Sequence, residues 1–282
     1  MPEPTPAQPD SNTPAEQWLA RGASLAPEEL ASIQFYVRWH LDLEEDALLG
    51  IDEYARVRVL NFYGELLTEA GLMWLAATDS PLTAVMELIV SGCPITDNGL
   101  ACVTSDDTPF KGLKTLDIDM TAITDQGIAD LARPDSPLTA LTSLDLGSMT
   151  ITDQGLASLA AKDSPLSRLS ELRLWANQIT DQGLAHIAAA NSPLTALKAL
   201  DFYSTPITDQ GLAAISAKDS PLTKLTSLIL RGTKVTDQGL AALAAKDSPL
   251  TALSDLDVRD TWVSMDAITE LKRRFPNIRV CS

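Results

Sequence analysis

The sequence predicts an α/β solenoid of eight 28-residue strand-turn-helix units, with a parallel sheet on the concave face and helices on the convex face. Three observations predict it. A Thr-Asp/Glu-x-Gly column recurs at Thr68, Thr96, Thr124, Thr152, Thr180, Thr208 and Thr236 with no insertion or deletion between copies. Within each unit, apolar residues alternate over one short segment and then recur at helical spacing over the next. Each helical segment then runs into a turn of the Asp-Ser-Pro-Leu type.

Taken in chain order, residues 1–15 are proline-rich and polar without apolar periodicity, so they read as a disordered tail. Residues 16–56 read as a helical N-terminal cap: Leu30, Ile33, Val37 and Leu41 fall at helical spacing after Pro27, a residue suited to a helix first turn. A terminal unit without a cap would expose core. Residues 57–280 carry the repeats, and the last unit, 253–280, is a degenerate cap. Its "VSMDAITELKRRF" keeps the apolar positions, loses the Thr-Asp and the Gly, and ends in Lys272, Arg273, Arg274 and a strand led by Pro276.

The unit around Leu144 shows why these parts form. Leu144 and Leu146 alternate with Asp145 and Gly147, which places the leucines inward and the other two outward on a strand. Leu156, Leu159 and Ala160 form one face of a helix, with Thr152 as N-cap and Asp153 beside the positive end of the helix dipole. Pro165 lacks an amide hydrogen and biases Ser164 toward extended backbone, which ends the helix near Asp163. The glycines of the repeated column, Gly71, Gly99, Gly127, Gly155, Gly183, Gly211 and Gly239, occupy a first turn where Gly costs about 1 kcal/mol relative to Ala. Their recurrence predicts that a Cβ there would strike the adjacent unit or turn.

The combination LxxLxLxx[T/C/N]x[I/V]TDxGLxxLA resembles leucine-rich repeats of the cysteine-containing, ribonuclease-inhibitor-like type and is similar to bacterial GALA-type repeats, over about Val57 to Val280. The resemblance implies a horseshoe that binds other proteins, frequently through its concave face, and no common catalytic site. The chain departs from the pattern where the family places Asn or Cys: that column reads Glu65, Cys93, Thr121, Met149, Asn177, Thr205, Thr233 and Thr261. Met149 cannot donate, so its turn is expected to be satisfied by backbone or water. A second resemblance is shorter: "LAPEELASI" is similar to the start of an F-box, which implies an adaptor or bacterial effector whose N-terminal segment recruits a ubiquitin ligase while the repeats select a target.

Composition narrows the function classes. A net charge of −17 repels nucleic-acid backbones. No apolar run approaches a membrane span and no secretory leader opens the chain, which predicts a cytoplasmic protein and leaves export by a specialised secretion system compatible with the same features. Cys93, Cys102 and Cys281 are an odd count without metal-ligand spacing, and His40 and His186 have no visible partner, so free thiols, no metal, no cofactor and no enzyme are expected. The repeated aspartates stand one per unit, too few to converge on a cation, and read as helix caps.

Function is then sought in the outward strand positions, which the core pattern leaves free. One column reads Asn61, Ile89, Asp117, Asp145, Arg173, Asp201, Ile229 and Asp257; the next reads Tyr63, Ser91, Asp119, Gly147, Trp175, Tyr203, Arg231 and Arg259. Aromatic residues and arginine are enriched at binding hot spots. The candidate protein-binding residues are Tyr63, Asp117, Asp119, Asp145, Arg173, Trp175, Asp201, Tyr203, Arg231 and Arg259. Arg173, Trp175 and Tyr203 are expected to be adjacent, flanked by an acidic sector that suits a protein or peptide with basic groups. The competing reading is that Asp–Arg pairs merely solvate the sheet. A monomer is the default.

Overall fold

A computed structural model of the chain describes residues 13–64 and 67–282. The expected tail lies outside the described residues up to residue 12. Thr13 caps a helix that already begins at Pro14, its side chain accepting from the amide of Glu16 while Glu16 reaches back to the Thr13 amide. This capping box outweighs the proline-rich composition, so Pro14 and Ala15 belong to the helix.

Nine three-residue strands form one parallel sheet in sequential order: β1 (Val59–Asn61), β2 (Glu87–Ile89), β3 (Thr115–Asp117), β4 (Ser143–Asp145), β5 (Glu171–Arg173), β6 (Ala199–Asp201), β7 (Ser227–Ile229), β8 (Asp255–Asp257) and β9 (Arg279–Cys281). Among the described residues, three α-helices precede the sheet: α1 (Pro14–Arg21), α2 (Pro27–His40) and α3 (Ile51–Ala55). Seven helices of seven residues follow the strands in turn: α4 (Glu69–Leu75), α5 (Asp97–Val103), α6 (Asp125–Leu131), α7 (Asp153–Leu159), α8 (Asp181–Ile187), α9 (Asp209–Ile215) and α10 (Asp237–Leu243). The longer α11 (Met265–Arg274) closes the series. No helix among the described residues is long and apolar enough to cross a membrane.

The core is a stack of rows. Leu60, Leu88, Leu116, Leu144, Leu172, Leu200, Leu228, Leu256 and Val280 pair side by side across the sheet. In one unit, Leu138, Leu141, Leu144, Leu146, Ile151, Leu156 and Leu159 are all fully buried. The helices stop earlier than the proline implies. In α7 the last helical residue is Leu159, because Ala161 donates to Ser158 and Ser164 to Ala161, two tight i−3 turns that steer Leu166 into the core.

The contact that joins one unit to the next is a carboxylate. Asp153 Oδ1 accepts from the Thr180 amide at 2.7 Å and the Gly183 amide at 2.9 Å, while its Oδ2 accepts from the Thr180 hydroxyl at 2.6 Å. Asp97, Asp125, Asp181 and Asp209 do the same for the Thr of the following unit. The aspartates therefore cap the neighbour's helix, not only their own. A Cβ at Gly183 would stand 2.6 Å from Asp153 Oδ1 and 2.9 Å from Ile179 Cγ2, the predicted collision.

Both ends use the same contact. In α2, Glu29 accepts from the Thr68 amide and hydroxyl, each at 2.8 Å, and so caps the first repeat helix from outside the repeats. Trp18 of α1 stacks on Trp74 with ring centroids 4.2 Å apart, and each indole donates to the other's carbonyl. At the far end Ser264 replaces Thr, its hydroxyl donating to Asp237 and accepting from the Ala267 amide.

The turn column behaves unevenly. The hydroxyls of Thr121, Thr205, Thr233 and Thr261 donate within their own units. Cys93 and Asn177 reach the preceding unit, at Phe62 and Leu146 respectively. Asn177 also accepts from the Ile151 amide, so the turn carrying Met149 is satisfied by a side chain of the next unit, not by backbone or water alone. Glu65 lies outside the described residues.

The ladder yields a prediction. Gly183→Ala should cost about 1–3 kcal/mol by overpacking, reversing the usual helix gain of about 1 kcal/mol. Asp153→Ala should cost a similar amount by leaving the Thr180 amide and hydroxyl without their acceptor. Urea denaturation of both single variants and the double variant should show a total smaller than the sum; strict additivity would show that the glycine does not answer to the carboxylate.

Candidate functional site

The sheet register places the outward residues in two adjacent columns. Asn61, Ile89, Asp117, Asp145, Arg173, Asp201, Ile229 and Asp257 are paired in sequence along the strands. Beyond the strand ends the ladder continues through Gly92 N–H to Asp119, Met120 N–H to Gly147, Ser148 N–H to Trp175 and Ala176 N–H to Tyr203.

The acidic column has a local cause. Asp117, Asp145, Asp201 and Asp257 each accept from the amide two residues on, as does Asn61 from Tyr63. The turn uses one oxygen of each aspartate and makes no use of the second, which at Asp257 binds Arg259. The turn residue that follows, at positions 64, 92, 120, 148, 176, 204, 232 and 260, has positive φ in every unit, whether Gly or not. The sequence marks that column only at Gly64, Gly92 and Gly232, because Met120, Ser148, Ala176, Ser204 and Asp260 share no chemistry.

Asp117, Asp119 and Asp145 converge, with one carboxylate oxygen from each within 4.8 Å of the others. Asp119 and Asp145 are each only 9% exposed. The Trp175 indole lies against Gly147, where a Cβ would overlap it, and so covers the sheet beside both aspartates. Burial pushes the Asp117 carboxyl up to about 7, helped by the negative charges of Asp119 and Asp145. Burial also raises Asp145, against the opposing hydrogen bond from the Gly147 amide. Asp201 rises by burial too, opposed by the Tyr203 amide and Arg173.

The basic residues are engaged. Arg173 Nη2 lies 3.1 Å from Glu171 and Nη1 lies 3.6 Å from Asp145. Arg231 pairs with Asp260 at 2.8 Å and sits 5.5 Å from the Tyr203 ring centroid. Arg259 binds Asp257, whose carboxyl is held low by that hydrogen bond. Trp175 and Tyr203 are on neighbouring strand ends, yet one turns toward Gly147 and the other meets Arg231. Tyr63 is far more exposed, at 69%, near the N-terminal edge. Sequence reasoning missed Glu171 and Asp255, which hold Arg173 and Arg279 from the first position of their strands. The signal was there: strand alternation puts them on the same face as Arg173 and Asp257.

A family model described as Leucine Rich repeat matches residues 83–103, 138–160 and 222–244, three segments of the same 28-residue unit. The chain is a leucine-rich repeat protein. Among solved structures, this leucine-rich repeat protein is similar to an internalin C2 from Listeria monocytogenes, with 22% identity over 89% of this chain and 92% of that one and a TM-score of 0.59. That likeness shows the shared solenoid fold. An internalin InlF from the same organism matches at 18% identity over 93% of this chain and 96% of that one, with a TM-score of 0.38, too low to bear on the fold. No curated protein sequence matches the chain.

The raised Asp201 carboxyl sets a pH dependence. A group whose carboxyl rises on folding favours the folded state while protonated, and that contribution is lost as pH climbs through the raised value. Asp201→Asn keeps the acceptor for Tyr203 and removes the buried charge. The variant should melt above the wild type at pH 8, and the gap should close as pH falls toward about 4, the ordinary Asp value. A gap independent of pH, followed by circular dichroism, would contradict the assignment.

Proposed function

We propose that this leucine-rich repeat protein is a non-catalytic scaffold that holds a protein or peptide partner on its concave face. The observation that carries the reading is the contrast between rows. The inward rows repeat almost without change, whereas the outward columns pass from Asp117 and Asp145 to Arg173, Trp175 and Tyr203 and then to Arg231 and Arg259. Stability needs no such variety, and leucine-rich repeat proteins generally bind proteins. Free oxygens in the Asp117 to Asp201 sector favour a partner with basic groups, and Tyr203 with Arg231 offers a flat cationic patch beside it. Free thiols at Cys93, Cys102 and Cys281 fit a reducing, cytoplasmic setting.

In this reading the N-terminal helices cap the solenoid through Glu29 and Trp18. One observation favours the adaptor alternative: α2 leaves Phe35 and Trp39 on its outer face largely exposed. Removing the helices would expose the first repeat, so surface substitution is the sharper comparison.

Three variants of the whole protein separate these readings: Arg173→Ala/Tyr203→Ala/Arg231→Ala on the concave face, Phe35→Ala/Trp39→Ala on the cap, and Gln182→Ala/Gln210→Ala on the helix side. Quantitative affinity capture should lose the same partner only with the concave variant, while all three keep the wild-type melting temperature within a few degrees, as surface changes do. Loss with the cap variant alone would favour the adaptor. Equal capture by all three would refute the concave site.

A further inference from the structure

We propose that the Asp117–Asp119–Asp145 cluster is a binding site for a hard divalent cation of the Ca2+ class, a property that goes beyond partner binding and stands without it. The geometry suits one ion. Ca2+ takes carboxylate oxygens at about 2.3–2.6 Å, so two ligands on opposite sides of it stand about 4.6–5.2 Å apart. The three carboxylate oxygens lie within 4.8 Å of one another and so fit on a single coordination sphere.

Two buried polar atoms lack partners, one within the cluster and one on the residue that precedes it in the outward column. Asp119 is 9% exposed, and its Oδ1 is buried without a hydrogen bond. Ser91 precedes Asp119 in the same outward column, joined to it through Gly92 N–H···O=C Asp119 at 3.0 Å. Its residue is 1% exposed and its hydroxyl, too, has no partner. Native proteins pair such groups, and a carboxylate oxygen left without hydrogen bond or counter-charge points to a missing electrophile. Among the described residues, the one ion pair made by these three carboxylates is Arg173 with Asp145, at a loose 3.6 Å. Asp117 and Asp145 each commit one oxygen to a backbone amide, and the second oxygen of Asp145 is the one that faces Arg173.

A partner's lysine could supply the same charge, but the observations favour an ion. Asp119 and Asp145 are nine-tenths buried, and Trp175 lies over Gly147, the neighbour of Asp119 in its column and two residues from Asp145. A small ion with a few waters enters such a place more readily than a second side chain beside Arg173, which already stands against Asp145. Three carboxylates and a hydroxyl fall short of the six to eight oxygens Ca2+ prefers, so water completes the shell and affinity is modest.

The test uses the full chain stripped of metal at neutral pH. Isothermal titration with CaCl2 should show one saturable site with Kd of about 0.1–1 mM, and Tb3+ should bind competitively with emission sensitised through Trp175. Asp119→Asn should weaken binding at least about tenfold while circular dichroism shows an intact fold, and Asp201→Asn, in the same sheet but outside the cluster, should bind as wild type. Absence of saturation by about 10 mM CaCl2 in the folded wild type, or unchanged binding in Asp119→Asn, would overturn the proposal. So would saturation by Nα-acetyl-lysine amide in place of Ca2+, which would assign the cluster to a partner's basic side chain.

Discussion

The solenoid depends on one interaction, the reach of a first-turn carboxylate in one unit to the start of the next unit's helix. Asp153 satisfies two amides and a hydroxyl of the unit after it, among them the Thr180 amide at the start of the next helix. Because each of these aspartates meets a Thr or Ser 27 residues on, the contact ties the period of the sequence to the stacking of the helices. One extra residue between units would break the contact. The missing Cβ at Gly183 is part of the same device, since the space it would fill belongs to the neighbour's carboxylate.

The ends show how general that constraint is. Glu29 belongs to a helix with no repeat pattern, yet it meets Thr68 as the aspartates meet their threonines. Ser264 stands in a unit that has lost Thr-Asp and Gly, yet it still receives Asp237. A cap in this protein is therefore an element that supplies one missing half of the ladder and covers exposed apolar rows, as Trp18 does over Trp74.

On the opposite face, the same economy leaves free groups. The outward aspartates brace a turn that runs through a left-handed residue in every unit, an expensive backbone state of about 1–2 kcal/mol where the residue is not Gly. Each aspartate then carries a second oxygen that the turn does not use. Where β3 and β4 bring Asp117 and Asp145 together with Asp119, the surplus becomes a concentrated, poorly solvated negative charge. Elsewhere arginines neutralise it, as Arg259 does for Asp257.

The fold was legible because it is periodic: inward leucines at Leu144 and Leu146, Thr152 as a cap, and a glycine that rejects Cβ all follow from local spacing. So did the register that makes Asp117, Asp145 and Arg173 neighbours. What spacing could not carry is anything set by side-chain direction across units. The sequence names Trp175 and Tyr203 as adjacent, but only the tertiary structure decided that one folds over Gly147 and the other meets Arg231. It shows Asp153 as a cap, but whose helix it caps depends on a contact 27 residues away. It shows Asp117, Asp119 and Asp145 as acidic surface, whereas the burial of Asp119 and Asp145 and the convergence of the three carboxylates appear only in the stacked units. Backbone periodicity is a one-dimensional property and can be read along the chain. Desolvation of a charge is a property of everything packed around it, and appears only when the units are stacked.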